Sequence, residues 1–244
     1  MSTAPKTIVI TGASRGLGAG MAQWFVERGA QMGLCSRSDP ALPSSATVYS
    51  ARVDVSDAAG MEAFVAQVEQ RFGVVDLWIN NAGVLGPIGP LRDAPVDGIR
   101  AHLDTNILGV FLGSQSYLKH LYRVNHRGVL INLSSGAARR GYAGWTAYCA
   151  SKAAVDRFTE ALVEEEAPER LRAYSVAPGV IDTGMQEEVR GCTEDQFPMV
   201  QKFHELKAAE SFNTPPFVAQ HFWDLAFEGP DSTETLLRLP DEHS

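Results

Sequence analysis

Tyr148 and Lys152 stand four residues apart in a helical pattern, which puts both on one face, one turn from each other. A phenol and an ammonium so placed can do acid–base chemistry. Free tyrosine titrates near ~10, too high to serve well at neutral pH, and a nearby cation lowers that value. Ser135, thirteen positions earlier, offers a hydroxyl that can share a developing oxyanion with the phenol. Its neighbour Ser134 reads as a backbone-capping hydroxyl. Asn106 falls in a helical stretch at 98–123, where an asparagine ordinarily faces water. A Y-x-x-x-K pair alone is an ordinary surface pair, so its meaning depends on the rest of the chain.

Those residues need a frame. Short apolar runs at 7–11, 32–36, 47–53, 74–80, 129–134, 172–177 and 235–239 read as strands covered on both faces. Helical patterns separate them, at 17–28, 57–72, 98–123 and 146–166. Ser56 is the expected N-cap and Gly73 the expected C-cap of the second. The alternation predicts α/β architecture: a single-domain, Rossmann-type doubly wound parallel sheet of about seven strands with helices on both faces. One domain is expected over 1–244, with irregular segments at 84–95 and 183–216. Between the first strand and first helix lie Gly12, Ser14, Arg15, Gly16, Leu17 and Gly18. Glycines there permit a tight turn, and the helix N-terminus offers free N–H groups to a pyrophosphate. The spacing is G-x-x-x-G-x-G rather than the usual G-x-G-x-x-G.

The 244 residues are 45% hydrophobic and 20% charged, a globular balance that excludes bulk disorder. The net charge of -8, with Lys and Arg scattered rather than in blocks, argues against nucleic acid or an anionic membrane as partner. No apolar run reaches the ~20 residues of a membrane span, and residues 1–6 do not resemble a signal peptide. Cys35, Cys149 and Cys192 form no C-x-x-C pair, which suggests a reducing compartment, and the cytoplasm is expected. The histidines lack metal-ligand spacing, so no metal site is expected. Asn132-Leu133-Ser134 matches a glycosylation acceptor but ends a strand and is discarded.

The set of motifs, in order, resembles the short-chain dehydrogenase/reductase superfamily over roughly residues 7–185. The turn at 11–18 looks like that family's cofactor loop, Asn80-Asn81-Ala82-Gly83 like its NNAG motif, and Pro178-Gly179 like its PG turn. The resemblance implies a catalytic tetrad of Asn106, Ser135, Tyr148 and Lys152. Asn106 would interrupt its helix locally and hold a water in a proton relay. Asp54 and Val55 would hold an adenine ring, with Asn81, Ala82, Gly83, Ile181 and Thr183 near the ribose and nicotinamide. An acidic residue at the end of the second strand favours NAD by bonding the ribose 2′-hydroxyl. Here Ser36 and Arg37 stand there, and Arg15 supplies a second guanidinium able to clamp a phosphate. NADPH/NADP is therefore expected over NAD, with Asp39 as a complication.

The implied reaction is reduction of a small-molecule carbonyl substrate, a ketone or vicinal dicarbonyl, with Tyr148 as general acid. The reverse alcohol oxidation and a non-catalytic NADP(H)-binding role remain alternatives. Leu85, Tyr142, Trp145 and Met185 are the expected substrate wall, and 183–216 the expected lid, although many of its apolar residues should simply pack it onto the body. Weaker similarity at 177–186 and 203–206 suggests the sepiapterin reductase and benzil reductase branch. In relatives, helices near 98–123 and 146–166 form a dimer contact, so a homodimer is expected. The chain's end lacks the V-D-G-G stretch that often supports a tetramer, leaving a tetramer possible but less favoured.

Overall fold

The computed structural model describes residues 4–229 and 231–243. The one-domain expectation also took in Met1, Ser2, Thr3, Pro230 and Ser244, which lie outside the described residues. Seven strands form one sheet: β1 (Thr7–Thr11), β2 (Gln31–Ser36), β3 (Val48–Arg52), β4 (Leu77–Asn80), β5 (Gly128–Leu133), β6 (Leu171–Ala177) and β7 (Leu236–Arg238). Every pairing is parallel, in the order β3-β2-β1-β4-β5-β6-β7. The order reverses between β1 and β4, which opens a crevice at their carboxyl ends.

Successive side chains of a strand point to opposite faces, so β1 feeds two cores. Ile8 and Ile10 pack with Met21 and Phe25 of α1 (Gly16–Glu27) and with Val218 and Phe222 of α8 (Pro215–Trp223). Val9 faces the other way, into the core of Phe64 and Val68 of α2 (Ala58–Phe72), Trp78 and Tyr117. Gly73 ends α2 at φ 76, as expected. Its N-cap, however, is Asp57, whose carboxylate accepts from Ala59 N. Ser56 fails as the cap because its hydroxyl donates to Asp54 Oδ1 at 2.7 Å.

The helical stretch at 98–123 is three pieces, interrupted around Asn106 as the family resemblance implied. α3 (Val96–Leu103) runs into a π-helical turn, Asp104–Leu108, and then α4 (Gly109–Val124). A π turn inserts one residue and rotates the helix beyond it, and here it carries Asn106 inward to 1% exposure. The segment 183–216 is not irregular: it holds α6 (Gly184–Arg190), α7 (Val200–Ala208) and the start of α8. Its apolar residues Val189, Phe197, Val200 and Phe203 are buried as a third core with Trp145, which explains the helices.

A polar network joins both central strands to the helices above them. Asn80 Nδ2 donates to Asn132 Oδ1 at 2.8 Å and to Ser114 Oγ at 3.0 Å, while Trp78 Nε1 donates to Asn80 Oδ1. Asn132 Nδ2 donates to Thr159 Oγ1 of α5 (Thr146–Glu165) at 2.9 Å. These groups are buried, so each bond matters. Gly113 faces the network, and a methyl there would sit 2.2 Å from Asn80 Oδ1. Gly113→Ala is therefore expected to lower the stability by ~2–4 kcal/mol in denaturant unfolding, since it adds overpacking to broken bonds. An unchanged midpoint would show that the network is dispensable.

Candidate active site

A cleft of about 700 Å³ lies along the carboxyl ends of the strands. At one end is the glycine turn. Gly12, at φ 70, comes so close to the chain after β4 that a Cβ would fall 2.7 Å from Ala82 Cα. Asn81 secures that approach by donating through Nδ2 to Thr11 O at 2.9 Å and Gly12 O at 3.1 Å. Thr11 Oγ1 accepts from Asn81 N and Ala82 N, each at 3.1 Å. Ser14, Arg15, Gly16, Leu17 and Gly18 continue the wall into α1, and Arg37 joins them from the end of β2. Narrow glycine backbone beside a helix N-terminus, with two guanidiniums, suits a phosphate-bearing dinucleotide.

Neither Arg15 nor Arg37 forms an ion pair among the described residues, whereas Asp39 is held by Arg52 at 2.5 Å. The complication foreseen at Asp39 is thus taken up by another arginine. Arg37 acts instead on Asp54, whose carboxyl lies below its ordinary value chiefly through its hydrogen bonds from Ser56. Ser36, Asp54 and Val55 lie outside the cleft wall. Ser36 donates to Ser38 O at 2.7 Å, and Val55 is buried against Gly109. Gly83, Pro178, Gly179, Ile181 and Thr183 line the middle of the cleft. Asn213 supports that wall by donating to Pro178 O at 2.9 Å.

Ser135, Tyr148 and Lys152 line the cleft floor together. Ser135 Oγ accepts from Ala137 N at 3.2 Å, which fixes the hydroxyl and leaves its proton for other work. The phenol of Tyr148 is pushed above its ordinary value by burial, and its hydrogen bond with Ser135 opposes that only in part. The sequence suggested the reverse shift, driven by Lys152. Instead Lys152 Nζ donates to Leu133 O at 2.7 Å and stands 5.7 Å from the Tyr148 ring centre. Desolvation outweighs the Ser135 hydrogen bond, and the phenol keeps its proton.

Burial acts on Lys152 too, bringing it down to about 8 from an ordinary 10.5. Asp156, one turn further along α5, opposes this shift. That carboxylate accepts from Ser134 Oγ at 2.5 Å and Ser175 Oγ at 2.7 Å. Ser134 is therefore a tie between β5 and α5, not the backbone cap the sequence suggested. Its carboxylate partner outcompetes a carbonyl because a charged acceptor bonds more strongly.

Asn106 lies behind the wall. Its Oδ1 accepts from Val84 N and its Nδ2 donates to Val84 O, both at 2.8 Å. Nδ2 also faces His102 Nε2 at 3.1 Å, and His102 meets Ser151 Oγ at 2.9 Å and Gly86 O at 2.7 Å. His102, Ser151 and Asp156 were missed by motif reading. Their signal was there: His102 precedes Asn106 by four, Asp156 follows Lys152 by four, and Ser151 follows Tyr148 by three, all one helical turn.

Leu85 and Met185 line the cleft as expected, joined by Gln186, Glu187 and Glu188. Tyr142 and Trp145 do not line it. Trp145 stacks on Phe197 at 4.5 Å and meets Phe203 edge-on at 5.6 Å, so it fastens α7 to the body. Tyr142 packs on Trp145 and lies under Arg140. Large flat rings gain more from mutual burial than from an open wall. Among the described residues no group of three His, Cys, Asp or Glu could hold a metal ion, and no helix is long and apolar enough to cross a membrane.

A doubly wound parallel sheet with such a cleft defines the class of this protein. The family model described as short chain dehydrogenase matches residues 6–193, and the chain belongs to that family. Among its relatives, a benzil reductase ((S)-benzoin forming) of Bacillus subtilis is 31% identical, covering 92% of this chain and 94% of its own. The solved structure of the KRED1-Pglu enzyme superposes with a TM-score of 0.86 at 29% identity, covering 95% of this chain and 99% of its own. The structure of ElxO with NADP bound gives a TM-score of 0.81 at 26% identity, covering 96% of both chains.

Lys152 sets up a test of stability against function. Between pH about 8 and 10.5 the unfolded chain holds a proton that folded Lys152 releases, so stability rises with pH in that window. Below it the buried charge is a standing cost. Lys152→Met is expected to raise stability at pH 7 by ~1–3 kcal/mol, read as a higher melting temperature. A lower melting temperature would mean that the bond to the Leu133 carbonyl outweighs the desolvation.

Proposed function

We propose that the chain is an NADPH-dependent carbonyl reductase acting on a ketone or vicinal dicarbonyl. The observation that carries this reading is one cleft with the glycine turn and two arginines that form no ion pair among the described residues at one end and Ser135, Tyr148 and Lys152 at the other. The Bacillus relative named for benzil reduction and the NADP-bound neighbour support it.

A bound nicotinamide dinucleotide supplies hydride. The residues of the chain do the rest. Arg15 and Arg37 hold the 2′-phosphate, and the glycine turn holds the pyrophosphate. Ser135 donates its hydroxyl hydrogen to the substrate oxygen and keeps the carbonyl against Tyr148. Tyr148, protonated because its phenol is buried, gives its proton to that oxygen as negative charge builds. Lys152 orients the nicotinamide ribose, and its ammonium favours the phenolate left behind. Asn106 holds the chain at Val84 beside the Tyr–Lys helix and links Lys152 to solvent by water. Leu85 and Met185 give the reacting carbon an apolar wall, and 183–216 acts as a lid.

Oligomerisation belongs to the same reading. Leu108, Phe111, Tyr122 and Val163 are exposed on α4, its π turn and α5, with Phe111 against Phe158 at 4.2 Å. Such an apolar face suits a homodimer through these helices, in the cytoplasm. Light scattering would give twice the chain mass, and a monomer at micromolar concentration would refute it.

The direct assay is NADPH oxidation in the presence of benzil. Tyr148→Phe is expected to lose turnover by at least ~10³-fold with NADPH affinity nearly unchanged. Full activity in that variant would remove the phenol from the reaction. Arg37→Asp is expected to weaken NADPH by ~10–100-fold and leave NADH little changed, measured by fluorescence titration. Equal effects on both cofactors would sink the phosphate clamp.

A further inference from the structure

His102 is a titratable side chain that the proposed reaction does not use, yet it sits at 1% exposure against the active site. Its surroundings fix its protonation state. Nδ1 lies 2.7 Å from Gly86 O, a group that can only accept, so Nδ1 carries a hydrogen. The Asn106 amide has no freedom to flip. Its oxygen takes Val84 N–H and its nitrogen gives to Val84 O, which leaves one N–H that lies nearer to His102 Nε2, at 3.1 Å, than to Ser151 Oγ, at 3.4 Å. Nε2 must therefore accept. A second proton on the ring would set N–H against N–H at 3.1 Å.

The geometry points to His102 as a positioning residue that works in its neutral form. It holds Asn106 behind the catalytic helix and Gly86 in the substrate wall. Three elements meet on this one ring. Gly86 belongs to the loop that carries Leu85, Asn106 to the π turn, and Ser151 to the helix of Tyr148 and Lys152. Ser151 Oγ stands 2.9 Å from Nε2 and 2.9 Å from Tyr148 O; its single proton serves one of these acceptors at a time, and on Nε2 it joins the Asn106 N–H in holding the neutral ring. The Tyr148 ring is edge-on to His102 at 6.2 Å.

The charged surroundings oppose protonation. Burial pushes the imidazole below its ordinary range, and the Lys152 ammonium on α5 adds to that shift, against the bonds from Gly86 and Ala147 that raise it. On the lid side, the Glu188 carboxylate comes up against Gly86 rather than the ring. Protonation in acid breaks the contact to Asn106, so turnover falls with a one-proton limb below the ordinary histidine range.

This inference rests on the proposed reductase reaction, and the test separates the two. The full-length enzyme is assayed with NADPH and benzil across the acid range, as wild type, His102→Gln, His102→Leu and Tyr148→Phe. Glutamine offers Asn106 an acceptor that cannot be protonated. His102→Gln should keep neutral-pH kcat within ~threefold and lose the acid limb. His102→Leu should lose ~10–100-fold in kcat with NADPH affinity unchanged, because Asn106 is left without its acceptor. An acid limb that persists at the same pH in His102→Gln overturns the inference, as does wild-type kcat in both variants. If His102→Leu fails to fold, the His102→Gln profile still decides. Absence of benzil-dependent NADPH oxidation in the wild type would instead strike down the reductase reading itself, and full activity in Tyr148→Phe would remove only the phenol from it.

Discussion

Parallel strands need a crossover between each pair, and the crossovers must cover both faces. That single requirement shapes this chain. It makes β1, β4 and β5 buried throughout, so their side chains are apolar or, at Thr7, Thr11, Asn80 and Asn132, hydrogen-bonded. It also brings every carboxyl end to the same edge. The glycine turn after β1, Arg37 after β2, Asn81 after β4, Ser135 after β5 and Pro178 after β6 then become neighbours. Residues far apart in sequence line one cleft because the sheet has one direction.

Within that cleft, desolvation governs the chemistry more than charge pairing. Burial holds the proton on Tyr148 and loosens it on Lys152, two shifts in opposite directions from one cause. A phenol that stays protonated is suited to give its proton away. A buried ammonium with only a carbonyl and a distant carboxylate for company is a stability liability that function maintains. The Asp156 carboxylate, bound by Ser134 and Ser175, moderates that liability while tying β5 and β6 to the helix that bears both catalytic groups.

Local patterns made the frame readable. Continuous apolar runs announced strands covered on two faces, and the glycine spacing announced the turn. Residues placed by tertiary context were harder. By its own pattern Asn106 looked helical and exposed, and only the family resemblance implied a break there, because a π turn depends on the packing of its neighbours rather than on its own residue types. Trp145, so near Tyr148 in sequence, suggested a substrate wall, but Phe197 and Phe203 from a distant segment claimed its ring. Ser56 is a good cap by type and lost that role to Asp57 once Asp54 took its hydroxyl. His102 and Ser151 signal nothing by type and only weakly by their one-turn spacing from Asn106 and Tyr148; the meeting of three backbone segments gives them meaning.

The aromatic clasp between Trp145 and α7 has an optical side. Indole emission depends on the polarity and stacking of its surroundings, and this indole is stacked on Phe197 and met edge-on by Phe203. Trp24 and Trp223 sit together in the α1–α8 layer, and Trp78 lies under the α2–α4 layer, outside that clasp. The chain thus contains an intrinsic fluorophore in the packing that fastens α7 to the body, able to report without a label whether that packing is intact.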